Sequence, residues 1–143
     1  MTDIHKSALV PYSAEQMFDL VNDIDAYAGF LPWCRSSTVL SAKDNVVEAS
    51  LEIAHGALHK TFTTQNTLTA KEKIQMNLLK GPFKQLEGVW RFEALDDQGC
   101  KVILDLSFEF SNRFVGMTMG PVFSAIANSL VDAFAQEAVK KYG

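Results

Sequence analysis

Cysteine is scarce in this chain: Cys34 and Cys100 are the only two among 143 residues. Two thiols so far apart, without a Cys-x-x-Cys spacing, give no disulfide framework. Histidine is limited to His5, His55 and His59. The sequence has no Gly-x-Ser-x-Gly and no glycine-rich phosphate loop, which removes the commonest hydrolase and nucleotide signatures. No uninterrupted run of 18 apolar residues occurs, so no membrane-spanning segment is expected. Met1 to Lys6 lacks an apolar stretch and is not Arg-rich, so no signal or transit peptide is expected here, and the expectation is a cytosolic protein or a mature form whose leader is absent from this chain. Excess positive charge is missing too. A net charge of −4 argues against DNA or other non-specific nucleic-acid binding, which needs a basic footprint.

What is present reads as globular. The chain is 48% hydrophobic and 21% charged, which separates it from disordered sequences. Its length suits a single domain over 1–143. Charge is uneven. Residues 55–91 hold six basic side chains (Lys60, Lys71, Lys73, Lys80, Lys84, Arg91) and two acidic ones (Glu72, Glu87), whereas both flanks are acidic. Such a stretch makes either a one-sided basic patch or ordinary solvated strand faces.

Residues 2–10 read as a strand stopped by Pro11. Ser13 and Gln16 then fit a capping box, with Tyr12 and Met17 at the positions of a hydrophobic staple. Met17, Phe18, Leu20 and Val21 give a short helix its buried face, Asn22-Asp23 ends it, and a second short helix is expected over Ile24 to Ala28. From Cys34 to Phe110 the period drops to two. The inward rows are Val47, Ala49, Leu51, Ile53; Phe62, Thr64, Asn66, Leu68; Ile74, Met76, Leu78; Leu86, Gly88, Trp90, Phe92; and Val102, Leu104, Leu106, Phe108, Phe110. Turn signals at Asp44-Asn45, Gly56-Ala57, Ala70-Lys71, Gly81-Pro82 and Asp96-Asp97-Gln98-Gly99 lie close enough for antiparallel hairpins. The tail returns to helical spacing. Asn112 suits an N-cap, and Met119, Phe123, Ile126, Leu130, Phe134 and Ala138 mark one face of a helix over 113–141, with a kink expected at Gly120-Pro121. A curved antiparallel sheet with one apolar face must be covered, and only this helix is long enough. The expected architecture is α+β: about seven strands gripping a long C-terminal helix, with two short helices after the first strand.

One segment resists periodic reading. Tyr27-Ala28-Gly29-Phe30-Leu31-Pro32-Trp33-Cys34 is strongly apolar, yet Gly29 and Pro32 break regular structure. It either plugs the core or forms the lip of an apolar cavity.

With the element order in place, the motif Tyr27-x-x-Phe30-Leu31-Pro32-Trp33-Cys34 resembles the START-like, or helix-grip, superfamily. So do Gly81-Pro82-Phe83-x-x-Leu86-x-Gly88-x-Trp90-x-Phe92 and Phe108-Glu109-Phe110-Ser111-Asn112. The nearest resemblance is to the polyketide cyclase/dehydrase-like branch that holds mitochondrial coenzyme Q-binding proteins and the bacterial ribosome association toxin (RatA) family. It covers essentially the whole chain. It implies a cavity between sheet and helix and, on the mitochondrial side, a polyprenyl quinone such as ubiquinone as a non-covalent ligand that supports respiration. On the bacterial side it implies binding of the large ribosomal subunit and a block on subunit joining. Starting directly at its first strand, the chain looks bacterial, so a cytoplasmic location is expected, with peripheral membrane contact open.

Three chemistries compete; with the resemblance added, the expected function is a non-catalytic binding protein holding a polyprenyl quinone in a cavity, and ribosome association is the alternative. For catalysis, Cys34 with a distant His would need contact geometry that spacing does not supply, and free Cys more often packs as a small hydrophobe. His55 and His59 stand at i, i+4, but Gly56 spoils a helical metal pair. No catalytic and no metal residue is assigned. For an apolar cavity, the expected lining is Phe30, Trp33, Phe62, Met76, Leu78, Phe83, Leu86, Trp90, Phe92, Leu104, Phe108, Met117, Met119, Phe123 and Ile126. Phe30, Leu31, Trp33 and Phe83 would form a gate opposite Met117 and Met119. Small residues at Ala49, Gly88, Gly116 and Gly120 would leave the space, and His55, Lys60 and Asn66 would contact a polar head group. The bland alternative is a filled core. For ribosome contact, Lys80, Lys84 and Arg91 would face the partner.

Overall fold

The computed structural model describes residues 1–95 and 99–143. The order is β1 (Thr2–Val10), α1 (Ala14–Asn22), a short 3-10 helix (Ile24–Gly29), β2 (Cys34–Lys43), β3 (Val46–His55), β4 (Leu58–Thr69), β5 (Lys73–Lys80), β6 (Phe83–Ala94), β7 (Cys100–Phe110) and α2 (Arg113–Tyr142). The seven strands form one antiparallel sheet in the order β1-β7-β6-β5-β4-β3-β2. β2 to β7 follow one another by hairpins. β1 instead pairs with the last strand, from Thr2 opposite Phe108 to Val10 opposite Cys100. α1 and the 3-10 helix carry the chain from one sheet edge to the other.

Local chemistry explains the boundaries. Ser13 and Gln16 exchange backbone–side-chain bonds of 2.9 and 3.0 Å, so two orphan donors at the start of α1 are satisfied. Asn112 caps α2 by accepting from the Val115 N–H at 3.0 Å. Gly81 has φ +154°, and a Cβ there would lie 2.7 Å from Phe62 Cβ, so the β5–β6 turn needs glycine. Of the expected turns, Asp96, Asp97 and Gln98 lie outside the described residues. Pro121 lies within α2 without ending it.

The inward rows are buried as the period of two predicts: Val47, Ala49 and Ile53; Phe62, Thr64 and Asn66; Leu86, Gly88, Trp90 and Phe92; Val102, Leu104, Leu106 and Phe108. α2 lays Met119, Phe123, Ile126, Ala127, Val131, Phe134 and Ala138 into this concave face, lying closest to β1 and β7. By length and composition α2 is apolar enough to cross a bilayer, although Thr118, Ser124, Asn128 and Ser129 interrupt its apolar residues. Its inner stripe is committed to the sheet.

The small residues do not all leave space. At Gly88 an added Cβ would lie 2.8 Å from Leu106 Cδ1, 2.9 Å from Met76 Cε and 3.2 Å from the Asp105 carbonyl oxygen. The room opened by this glycine is thus filled by its neighbours' side chains. Gly116 and Gly120 face the Phe110 ring, at 3.7 and 3.9 Å from a built Cβ, rather than a void. Gly88→Val should therefore destabilise the protein by about 1–3 kcal/mol through overpacking, read as a lowered denaturant midpoint with an unchanged slope.

Candidate functional site

Two aromatic clusters pin α2 to the sheet. Near its N-terminal half, Phe123 meets Phe108, Phe83 and Phe62 at centroid distances of 4.8, 4.9 and 6.2 Å. Further along, Phe134 meets Tyr27, Trp90 and Phe30 at 5.3, 5.4 and 5.5 Å. Eleven residues of helix separate the two anchors, about 16 Å. Between them lies a cavity of about 80 Å³. Its wall includes Trp33, Phe62, Met76, Leu86, Trp90, Phe123, Ile126 and Asn66, all expected, Leu106 from an inward row that was expected to line it, and also Ile24, Tyr27, Ala49, Leu51, Thr64, Ala127, Leu130 and Phe134.

The other expected lining residues do different work. Phe83 and Phe108 are closed into the Phe123 cluster, where Phe83 also stacks on Phe110 at 5.1 Å. Phe92 packs on Phe18 of α1. Leu104 and Met119 are fully buried in the core, and Leu78 sits under the Gly81 turn. Phe30 lines an outer cleft with Leu31, Pro32, Ser129, Asp132 and Lys140, on the solvent side of Trp33. Met117 is 73% exposed because the helix turns it away from the sheet. The expected gate is thus corrected. Phe83 sits at the opposite anchor from Phe30, Leu31 is buried, and Met117 faces solvent. Trp33 is the side chain common to the cavity and the outer cleft.

The polar expectations separate cleanly. Asn66 is 5% exposed and reaches the cavity beside Thr64, whose hydroxyl donates to Asn66 Oδ1 at 2.9 Å. That bond uses the amide carbonyl and leaves the Asn66 N–H donors at an otherwise apolar wall. His55 and Lys60 are exposed at the β3–β4 hairpin, where a charged amine keeps its hydration. His59 Nδ1 lies 3.6 Å from a Glu52 oxygen on the outer surface. Tyr27 donates its hydroxyl to the Val21 carbonyl, and burial pushes its pKa well above the ordinary phenol value. The one titratable side chain on the wall among the described residues is thereby tied down, with its proton committed to the Val21 carbonyl.

Of the expected basic group, Lys80 and Lys84 flank the β5–β6 turn. That turn abuts the start of α2, since the Ser111 N–H donates to the Pro82 carbonyl at 3.0 Å. Lys84 and Arg113 border one surface groove, together with Glu109. Arg91 stands apart, about 23 Å along β6 from Lys84. Its Nη1 is bound to Asp105 Oδ2 at 3.0 Å, and a hydrogen bond with His5, together with Arg91, holds the Asp105 carboxyl below its usual range. Arg113 takes Arg91's place in the cluster. The charge count over 55–91 could not reach it.

Residues 10–135 match the family model described as polyketide cyclase / dehydrase and lipid transport. The chain belongs to the polyketide cyclase/dehydrase and lipid transport family. Within that family it is 48% identical to the ribosome association toxin RatA of Pseudomonas aeruginosa, over 99% of both chains. It is 31% identical to the mitochondrial coenzyme Q-binding protein COQ10 homolog B of Xenopus laevis, covering 96% of this chain and 58% of that protein. The crystal structure of the Zhui aromatase/cyclase from Streptomyces superposes with a TM-score of 0.85 at 16% identity, covering 99% and 96% of the two chains, a likeness of fold. The family's helix-grip architecture is therefore the frame for the cavity described above.

Neither thiol of this family member is set up as a nucleophile. Both are buried. Burial raises the Cys34 pKa and pushes Cys100 from 9.0 up to about 11. Raising a thiol pKa lowers its thiolate fraction at every pH below it. Native Cys100 should react with iodoacetamide near pH 8 at least about a hundredfold more slowly than the same residue in the denatured chain, as peptide mass spectrometry would measure.

Proposed function

We infer that this protein associates with the ribosome, as the name of its relatives suggests, and that it does so by binding the large subunit and opposing subunit joining. The observation that carries this reading is full-length likeness to the Pseudomonas aeruginosa protein at nearly half of all positions. Lys80, Lys84 and Arg113 support it. None of the three has an acidic partner within ion-pair distance among the described residues. Unneutralised cations gathered at one end of an acidic protein are what a phosphate backbone would attract. Binding rather than catalysis is the activity proposed.

A second reading concerns the cavity, and Asn66 favours it. An apolar wall with one buried pair of amide donors suits an apolar molecule carrying a carbonyl acceptor, as a quinone head group does. At about 80 Å³ the resting space is smaller than the roughly 150 Å³ void that admits benzene. A quinone ring would enter only with Trp33 displaced toward the outer cleft. Left empty, the space costs about 2 kcal/mol at about 24 cal/mol per Å³, which a ligand would offset.

The two readings are tested separately. Purified protein should co-sediment with large ribosomal subunits at low salt, and Lys80→Glu with Lys84→Glu should abolish this; a wild-type protein that never co-sediments refutes the ribosome reading. For the cavity, solvent extraction and mass spectrometry should find a prenyl quinone or similar lipid, and Asn66→Leu should weaken binding of added ubiquinone about tenfold by removing one hydrogen bond. Equal affinity in Asn66→Leu would remove Asn66 from the reading.

A further inference from the structure

The outward face of the first half of α2 has no partner among the described residues. From Phe114 to Val131 the helix carries 18 consecutive uncharged residues, bounded by Arg113 and Asp132. A helix laid on a sheet normally alternates an apolar stripe with a polar one, so that the far side is wet. Here Phe114, Met117, Pro121 and Ala125 follow one another along the exposed side, at helical steps of three and four. Phe114 is 82% and Met117 73% exposed. An 18-residue window of this helix is apolar enough to cross a bilayer, yet only 28% of it is buried. The stripe from Phe114 to Ala125 runs about 16 Å.

The polar groups on this side are turned inward on the helix itself. The Thr118 hydroxyl donates to the Phe114 carbonyl at 2.9 Å, the Asn128 amide to the Ser124 carbonyl at 2.8 Å, and the Ser129 hydroxyl to the Ile126 carbonyl at 2.8 Å. The hydroxyls of Thr118 and Ser129 and one N–H of Asn128 are thus satisfied before any water is counted, which lowers the cost of leaving water. Arg113 closes the stripe at its N-terminal end, with Lys84 beside it across the surface groove that also holds Glu109.

We propose that this face docks the protein on the surface of an anionic lipid bilayer, with Phe114 and Met117 entering the interface and Arg113 and Lys84 at the lipid phosphates. The arrangement is that of an interfacial helix, apolar on the side facing the acyl boundary and cationic at its edge. It is not a span, because Phe123 and Phe134 hold the opposite side of the helix to the sheet. Charge distinguishes a bilayer from RNA as the occupant. A phosphate-binding surface needs cations spread along it, and this stripe has none between its ends; Phe114 is its single ring, whereas apolar Met117 and Pro121 gain from acyl contact and offer bases nothing to stack on. The cavity reading does not depend on this face, and the ribosome reading shares only its cationic edge, Lys84 and Arg113, and not its apolar stripe.

The test is flotation with vesicles of pure phosphatidylcholine and of phosphatidylcholine with about one-third phosphatidylglycerol. Wild-type protein is expected to float with the anionic vesicles at low salt and much less with the neutral ones. Phe114→Ser with Met117→Ser should lower the partition coefficient about tenfold or more. Both side chains are exposed, so the thermal melt of this variant should match wild type, and it should still co-sediment with large subunits. Arg113→Glu with Lys84→Glu should erase the preference for anionic vesicles. Failure of wild type to float, or flotation of the serine variant at the wild-type level, overturns the proposal. So does a wild-type dimer that the serine variant splits, without any flotation, since a second copy would then be the occupant. Loss of ribosome co-sedimentation in the serine variant, with wild type absent from the vesicles, overturns it in favour of the ribosome.

Discussion

Two phenylalanines on one helix hold the sheet and helix together. Phe123 and Phe134 each enter a group of aromatic rings contributed by distant strands, and each ring meets its neighbours mostly edge to face, the arrangement that the ring quadrupole favours. Because the anchors stand about 16 Å apart on a stiff rod, the stretch between them cannot sink further into the sheet. The cavity is the space that this spacing leaves. Its size is set by the curvature of the sheet and by small residues such as Ala49 and Ala127 on its wall, and its closure is set by Trp33.

The opening loop acquires its role from the same constraint. Tyr27 and Phe30 bear directly on Phe134, and the Tyr27 hydroxyl is tied to the end of α1. Leu31 is buried beneath them. The loop is therefore chiefly an anchor for the helix; Tyr27 and Trp33 both line the space inside, and of its large side chains only Trp33 also reaches the outer cleft. A segment that looked like either a plug or a lip is a plug with one residue at the lip.

Much of this was legible in the sequence. The alternation of strands, the capping box at Ser13 and Gln16 and the length of the last helix depend on local chemistry, and local chemistry is written in neighbouring residues. The family motifs are equally local. What spacing does not carry is which neighbour fills a gap. Gly88 looked like missing volume, but Leu106 and Met76 occupy it from adjacent strands. Met117 looked like a cavity residue because it is apolar, yet a helix that is apolar around most of its circumference gives no sign of which side faces in. Arg91 counted as a surface cation, although Asp105, on the neighbouring strand, neutralises it. Asn66 was recognisable because parity placed a polar group in a buried row, and period two is the most reliable signal a strand offers. Arg113 was missed because the cluster joins a hairpin to a helix start nearly thirty residues further on, which no count along the chain can bring together.

The pairing of β1 with β7 has a consequence for how the molecule comes into being. Thr2 and Phe108 are partners separated by almost the whole sheet in sequence, so closing that edge costs on the order of 4 kcal/mol of loop entropy before its contacts return anything. Such long-range pairing slows folding relative to the hairpins that make up the rest of the sheet. During synthesis the hairpins from β2 onward can form as they emerge, but β1 waits for the last strand, and the apolar concave face waits for the helix that follows it. Until about residue 134 has been added, the growing chain presents an uncovered apolar sheet face, making it a natural client for holding chaperones in a way the finished protein is not.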